Sequence, residues 1–461
     1  MVVLKSNSRR RYLISSARSH FTRKTIRILL VEPSFPIPAK SKNHKNFLPV
    51  GLLKIASYQR TLGNEAQLYR GVPIGFFETS RLVAFKPDEI WITSLFTYWS
   101  PYVKETVEFY KDLFPNAKIT VGGIYASLRP IEEVKQYTGC DEVFQGVMGA
   151  AESHEPAYDL LEYKNGSPID YQILHASRGC IRNCEFCGTW KIEPEYKPKK
   201  SIVDEIFPGI RKLVFYDNNL LANPHIEDIL KELAELKRTH RILWCESQSG
   251  FDGRILKEKP HLARMLKKAG FQNPRIAWDW GYKQHESIKK QIDILLDAGY
   301  KSNQIYVFVI YNWDTVFEEM EQKRIKSFEW KVQIADCRYR PLDQMYDHYK
   351  GSTKGQTNKD YYIHESAGWT DALVKQYRRN IREQNICVRY GFDLYSRAFE
   401  HKTQGQSVRR QMKLLPTLDE KKDFMESRGY DFWVPDKIRY PVDDSIQSDQ
   451  ISLAVSEKVR A

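Results

Sequence analysis

The stretch "SRGCIRNCEFCGTW" places Cys180, Cys184 and Cys187 within eight positions of a 461-residue chain that has seven cysteines in all. Thiolates are ligands for soft metals, and three in one tight loop cannot all pair with one another as disulfides. A metal centre is therefore the first expectation. One form of it is a zinc ion completed by a fourth side chain such as Cys245. Zinc ribbons and fingers, however, usually bring their cysteines as two Cys-x-x-Cys pairs, and the sequence has no second pair. Cys140, Cys337 and Cys387 are solitary and read as small buried apolar residues. An odd number of cysteines, without regular spacing outside the cluster, argues against a secreted disulfide framework and for a reducing cytoplasm.

The elements that must position this loop are read from hydrophobic periodicity. Strands are expected at "YQILHAS", "KLVFYDN", "RILWCESQ", "PRIAWDW", "QIYVFVIYN" and "WKVQIAD". Helical segments lie between them. One begins "NPHIEDILKELAEL", with Asn223 as its cap and Pro224 in its first turn; another is "HESIKKQIDILLDAGY", stopped by Gly299. Six βα units without a seventh and eighth predict an open, partial (βα)6 TIM-like barrel over residues 168–345. Upstream, "TIRILLVEP", "EAQLYRG", "DEIWITSLF", "AKITVGG" and "DEVFQG" alternate with helices such as "PVGLLKIASYQRTLGN". That alternation predicts a doubly wound, Rossmann-like α/β domain over residues 25–155. Beyond "RYRPLDQ" a polar loop covers 346–365, and helices are expected from Thr370 in a small, mostly helical C-terminal region ending near 440. Residues 441–461 read as a disordered tail.

The chain is long enough for two or three domains, and no apolar run approaches the length of a membrane span. The formal net charge is +13, and more than half of it sits in residues 1–24, which hold seven Lys or Arg and no acid. This head reads as a disordered tail or an overlong start, and as a transit peptide if the source is eukaryotic. Past Thr370, Leu373, Val374, Tyr377 and Ile381 mark one helix face, and Lys375, Arg378, Arg379 and Arg382 another. A basic face of this kind is ordinarily a solvated one, with RNA or phosphate contact the minority reading.

The spacing Cys-x-x-x-Cys-x-x-Cys, directly after a strand that opens a βα series, resembles the radical S-adenosylmethionine superfamily. Phe186, before the third cysteine, matches the aromatic which that family usually places there. The resemblance covers residues 170–345. It implies that Cys180, Cys184 and Cys187 each hold one iron of a 4Fe–4S cluster, whose fourth iron is left for the amino and carboxylate groups of S-adenosylmethionine. An electron, from a donor such as flavodoxin or ferredoxin, then splits the sulfonium to a 5′-deoxyadenosyl radical. Gly188 would permit close backbone approach. Tyr216, Asp217 and Asn218 in "FYDNN" occupy the segment that holds the methionyl amino group, although many members have Gly-Gly-Glu there. "CESQSGFDGRIL" is similar to a polar run of related enzymes, placing Glu246, Gln248 and Asp252 at the open barrel end. Asp279 is a ribose or amino-group contact, and Arg338 and Arg340 are carboxylate or substrate candidates.

The first domain resembles the cobalamin-binding-like domain that often precedes such a core. Gly122 and Gly123 would approach the cofactor's nucleotide tail, and "TSLFTYW" would line one wall. The Asp-x-His-x-x-Gly segment whose histidine ligates cobalt is missing: the expected region reads "LYRGVPIGFF", and His44 is a lone loop histidine. Two outcomes follow. With cobalamin, methyl transfer to carbon or phosphorus leads; without it, hydrogen abstraction followed by rearrangement, oxidation or coupling does. The rival from another class is a zinc-stabilised nucleic-acid-binding protein. The substrate, whether small molecule, peptide or RNA, is not specified by any motif.

Overall fold

The apolar run after Lys24 forms β1 (Arg27–Glu32), whose residues beyond Arg27 are all buried, as in a strand covered on both faces. The structure is a computed structural model that describes residues 24–37, 47–161 and 169–441. The basic head up to residue 23, His44, the linker at 162–168 and the tail from 442 lie outside the described residues.

After β1 come α1 (Val50–Thr61), β2 (Glu65–Arg70), α2 (Phe76–Phe85), β3 (Glu89–Ser94), α3 (Ser100–Leu113), β4 (Lys118–Gly123), α4 (Ile124–Leu128), α5 (Ile131–Thr138), β5 (Glu142–Val143) and α6 (Gly149–Glu152). The five strands make one parallel sheet in the order β2-β1-β3-β4-β5. This is a doubly wound order, and its ligand crevice lies at the carboxyl ends, where the winding reverses between β1 and β3.

The chain continues through β6 (Tyr171–Leu174), β7 (Ser177–Arg178), α7 (Thr189–Ile192), β8 (Lys197–Pro198), β9 (Lys212–Phe215), α8 (Ile226–Arg238), β10 (Trp244–Ser247), α9 (Gly253–Glu258), α10 (His261–Ala269), β11 (Arg275–Ala277), α11 (His285–Asp297), β12 (Tyr306–Tyr311), α12 (Phe317–Glu329) and β13 (Gln333–Arg338). The six expected strands are present and parallel, but they form two three-stranded sheets, β6-β9-β10 and β11-β12-β13. Only single-residue bridges, Cys245 to Phe271 and Phe251 to Ile276, span the break. The cause is local. Arg275 donates to the Ser247 carbonyl and pairs with Glu246, so a side chain occupies the edge that a neighbouring backbone would use. Gly250, at φ 80°, lies so close to Arg275 that a Cβ there would meet its carbonyl oxygen at 2.8 Å.

Asn223 does not cap α8. The helix starts at Ile226 with His225 at its cap position; buried Asn223 stands two residues earlier, its Oδ1 accepting from the His225 amide and its Nδ2 donating to the carbonyls of Ala176 and Lys199. Residues 346–364 contain no helix or strand. Thr370 then caps α13 (Asp371–Tyr390), its hydroxyl accepting from the Leu373 amide, and α14 (Gly405–Met412) and α15 (Leu418–Ser427) follow. Leu373, Val374, Tyr377 and Ile381 are buried against the second sheet's core. The basic residues of α13 have partners within the fold: Lys375 with Asp371, Arg378 with Asp336, Arg382 with Glu400, and Arg379 with the Gln376 side chain. Fully buried Arg324 of α12 pairs with Glu321 and donates to the carbonyls of Pro435 and Lys437, pinning the C-terminal segment. Among the described residues no helix is long and apolar enough to cross a membrane.

Candidate metal centre and interdomain cleft

The cysteine loop leaves the first sheet through β7 and returns through β8, an antiparallel pair of two-residue strands that closes its base. Its root is fixed by Asp217, fully buried after β9, whose carboxylate accepts from the Ser177 hydroxyl at 2.7 Å and the Ala176 amide at 3.1 Å. Burial raises the Asp217 carboxyl to about 6 against these hydrogen bonds. Gly179 sits at φ 74°, where a Cβ would lie 2.3 Å from the Glu195 carbonyl oxygen, so only glycine fits immediately before Cys180. Glu193 closes the far side, accepting from the Gly179 amide and the Arg178 guanidinium.

Within the loop, Cys180, Cys184 and Cys187 are free thiols of intermediate exposure. The Cys187 amide donates to the Cys184 carbonyl, and the Trp190 indole N–H donates to that same oxygen at 3.1 Å. Thr189 lies 3.3 Å from Cys187 Sγ and 3.3 Å from Asn218 Oδ1, which links Asn218 to the third thiol. Arg182 reaches outward to Asp252 Oδ2 at 3.0 Å, an oxygen that also accepts from Asn219. Burial alone would raise the Asp252 carboxyl; the hydrogen bonds and charges of Arg254 and Arg182 leave it lowered. Burial raises the Cys184 thiol, with Cys187, Asp279 and Cys180 adding to the rise.

Among the described residues no three His, Cys, Asp or Glu side chains converge to hold a metal ion. Cys245, the fourth ligand of the zinc alternative, is fully buried in the hydrophobic core beside β9 and β10, its thiol directed at the Ala269 carbonyl. The donor set, three soft thiols on one anchored loop, suits a cluster that takes one ligand per metal corner.

The other sequence-identified residues divide. Tyr216 packs against the Leu48, Val50 and Val214 cluster between the two domains, edge-on to His175. Glu246 is buried and paired with Arg275. Gln248 holds an Nε2 that is buried without a partner. Asp279 follows β11 and is raised to about 6 by burial, with Lys323 and Arg254 opposing. Asp252 secures the loop through Arg182, a contact absent from the sequence reading. Gly188 does allow close approach, but to Leu128: a Cβ there would meet that side chain at 3.2 Å. Gly122 and Gly123 are filled from inside the sheet. A Cβ on Gly123 would lie 2.2 Å from the Ser94 carbonyl oxygen, and the Gly122 carbonyl accepts from the Ser94 hydroxyl.

Phe186 turns from the loop toward Trp313 and Trp280 and lines a cleft between the two domains. The N-terminal domain contributes Phe96, Tyr98, Ile124 and Leu128; the end of β13 and the following turn contribute Cys337, Arg338, Tyr339, Arg340 and Leu342. Cys337 is therefore not the buried apolar residue expected from sequence. It is exposed in the cleft, and desolvation by the walls pushes its thiol up to about 12. Arg338 and Arg340 share Asp347. The cavity has a volume of about 230 Å³. Pockets for drug-sized ligands run from roughly 300 to 1,000 Å³, and a corrin ring with its nucleotide tail exceeds such ligands. With Leu128 seated on Gly188, this cleft, among the described residues, is smaller than a corrin ring with its nucleotide tail.

No family model and no curated protein matches this sequence. Among solved structures, the chain is similar to the cobalamin-dependent S-adenosylmethionine radical enzyme OxsB. The apo form aligns with a TM-score of 0.41 and 14% identity over 67% of this chain and 52% of that one. The form with aqua-cobalamin bound aligns with a TM-score of 0.42 and 14% identity over 68% and 54%. This chain thus spans about half the length of the OxsB chains it matches. A cobalamin-binding protein from Desulfitobacterium hafniense DCB-2 aligns over 28% of this chain and 55% of its own, at 20% identity and a TM-score of 0.20. Scores this low do not define a common fold, and the functional reading stands on the residues.

Proposed function

We propose that this chain is a radical S-adenosylmethionine enzyme with a cobalamin-binding-like N-terminal domain, acting on an unreactive C–H bond. The observation that carries the reading is the cysteine loop. Three partly exposed thiols are anchored by Glu193 and Asp252, Cys245 is turned away into the core, and Phe186 leads from the loop into the cleft.

When bound by these thiolates, a 4Fe–4S cluster with S-adenosylmethionine supplies the electron transfer that breaks a carbon–sulfur bond and yields a 5′-deoxyadenosyl radical. The chain's own residues hold and shield that centre. Cys180, Cys184 and Cys187 are the ligands. The Cys187 thiol donates to the Thr189 oxygen, whose hydroxyl in turn donates to Asn218 Oδ1, so this relay orients the third ligand. Gln248 and Asp279, at the carboxyl edges of the strands, remain for the nucleoside. Phe186, Leu128 and Leu342 exclude water from the cleft where the substrate sits. Ile181 and Asn183 form the exposed turn of the loop, the side from which a flavodoxin- or ferredoxin-like donor approaches.

The size of the cleft favours hydrogen abstraction without methyl transfer, with the N-terminal domain acting as a substrate-enclosing scaffold. Hydroxocobalamin followed by desalting tests this part: retained corrinoid absorption would restore the methyl-transfer reading. The whole reading is tested by anaerobic reconstitution with iron and sulfide, then S-adenosylmethionine and a strong reductant. Four irons per chain and 5′-deoxyadenosine are expected; zinc with little iron would favour the nucleic-acid-binding rival.

A further inference from the structure

The cleft contains a cation that the fold does not fully use. Arg340 donates through Nε to Asp347 at 2.6 Å and through Nη1 to the Arg338 carbonyl at 3.2 Å. Its guanidinium lies 4.4 Å from the centre of the Tyr98 ring, across the domain boundary. Among the described residues its Nη2 donates to no protein group. Asp347 also accepts two hydrogen bonds from Arg338, so one carboxylate serves two guanidinium groups and a positive charge is left over.

The surroundings make that charge effective. Ile124, Leu128 and Leu342 give the cavity apolar walls, and a charge facing a dry, low-dielectric space attracts an anion more strongly than one in water. Of the acids around the cleft, Asp336 pairs with Arg378 and Asp279 is opposed by Lys323, while Asp343 and Glu185 act on Tyr339; the Tyr98 side, where Arg340 and Arg338 outweigh Asp347, is the positive one. The remaining wall is aromatic. Phe96 stacks on Tyr98 at 4.9 Å with their planes 7° apart, and Phe186 lies on the loop side. The Phe186 ring beside a guanidinium whose Nη2 is open favours a flat molecule with an oxyanion.

We propose that the interdomain cleft binds a planar small molecule bearing an oxyanion, a carboxylate or a phosphate, held by Arg340 and laid against the Phe186 ring. That this ligand is the substrate rests on the radical-enzyme reading; that it binds here does not. A volume of about 230 Å³ limits the enclosed part to roughly one ring system and its anionic group.

Cys337, exposed in the same cleft, reports occupancy. Its alkylation by iodoacetamide, run at alkaline pH because the thiol is pushed up to about 12, is followed by peptide mass spectrometry on the full chain, with benzoate, phenyl phosphate or benzyl alcohol as probe. Benzoate or phenyl phosphate is expected to slow the reaction severalfold at concentrations where benzyl alcohol does not, and the stronger of the two identifies the oxyanion. Arg340→Gln is expected to raise the half-protecting concentration about tenfold or more, as loss of a charge-assisted hydrogen bond implies. Arg340→Lys, which keeps charge but loses the fork, should weaken protection less, and it decides the matter should the Gln variant not fold by circular dichroism. Equal protection by benzyl alcohol, no protection by either anion, or protection unchanged in these variants would overturn the proposal. None of these measurements requires a cluster. Failure of iron loading with anion protection intact removes the radical reading alone, and the converse removes only the substrate class.

Discussion

Arg182, between the first two cysteines, and Asp252, which caps α9, are joined at 3.0 Å across 70 residues of sequence. The carboxylate is almost fully enclosed while the guanidinium is about one-third exposed. The cysteine loop is thereby tied to α9, the helix that follows β10.

Asp252→Asn keeps the shape of that tie and removes its charge. Hydrogen bonds to charged groups contribute about 1.5–3 kcal/mol, so iron content after reconstitution should fall severalfold. Since the Asp252 carboxyl is lowered in the folded protein, its stabilisation is complete above the ordinary carboxylate value of about 3.9. It is lost only as pH drops through the lower folded value. Loop anchoring should therefore be flat with pH near neutrality, and a steep decline in Arg182-dependent stability between pH 6 and 8 would contradict the assignment.

Cys184→Ala removes the middle one of the three proposed cluster ligands. Formation of 5′-deoxyadenosine should cease while the circular dichroism spectrum is retained, because the thiol is only partly buried and belongs to no core cluster. Unchanged 5′-deoxyadenosine production would dismiss the metal-centre assignment.

Gly179→Ala forces a side chain into a left-handed backbone position and against the Glu195 carbonyl. The conformational part alone costs about 1–2 kcal/mol, and the clash adds to it. Iron loading should fail in a protein whose N-terminal domain is still protected from hydrogen exchange.

Lys323 is fully buried on α12, its Nζ donating to the Trp278 carbonyl at 3.3 Å, and burial lowers it to about 8. A lysine held below its unfolded value of about 10.4 binds fewer protons in the folded state, so stability rises with pH between those values. At pH 7 Lys323→Met should raise unfolding free energy by about 2 kcal/mol, the relief of the shift less the lost hydrogen bond. By pH 10.5 that gain should be gone. Chemical denaturation at the two pH values measures the difference.

Arg324→Ala leaves Glu321 charged and enclosed, and frees the carbonyls of Pro435 and Lys437. Removing one partner of a buried pair typically costs about 3–5 kcal/mol. Limited proteolysis should cut first between 430 and 441, where the segment loses its clamp.

Much of this architecture is legible in the sequence because its signals are local. The five strands of the first sheet alternate with helices at short spacing, and the three cysteines are adjacent on one loop. What escapes is settled by distant partners. Asn223 does accept from the His225 amide through Oδ1, but its Nδ2 is held by the Ala176 and Lys199 carbonyls and the helix begins only at Ile226. The break between β10 and β11 depends on where the Arg275 side chain folds back, which periodicity does not encode. Cys337 is misread because, near the end of an alternating strand, it faces the cleft instead of the core. The glycine pair 122–123 has the composition of a ligand turn, and the Ser94 backbone already fills its concavity.

Glu152, at the end of α6, stands 3.5 Å from Lys54 of α1 and 3.6 Å from Arg178 at the base of the cysteine loop. Both spacings exceed hydrogen-bond length, and its Oε2 is enclosed without a close donor. Lys54 and Glu152 belong to the same domain, so the Lys54 spacing is set within it, while the Arg178 spacing crosses to the root of the thiol-bearing turn. Any displacement of one half against the other therefore changes the charge felt at that root through a single carboxylate, which makes Glu152 the electrostatic joint of the molecule.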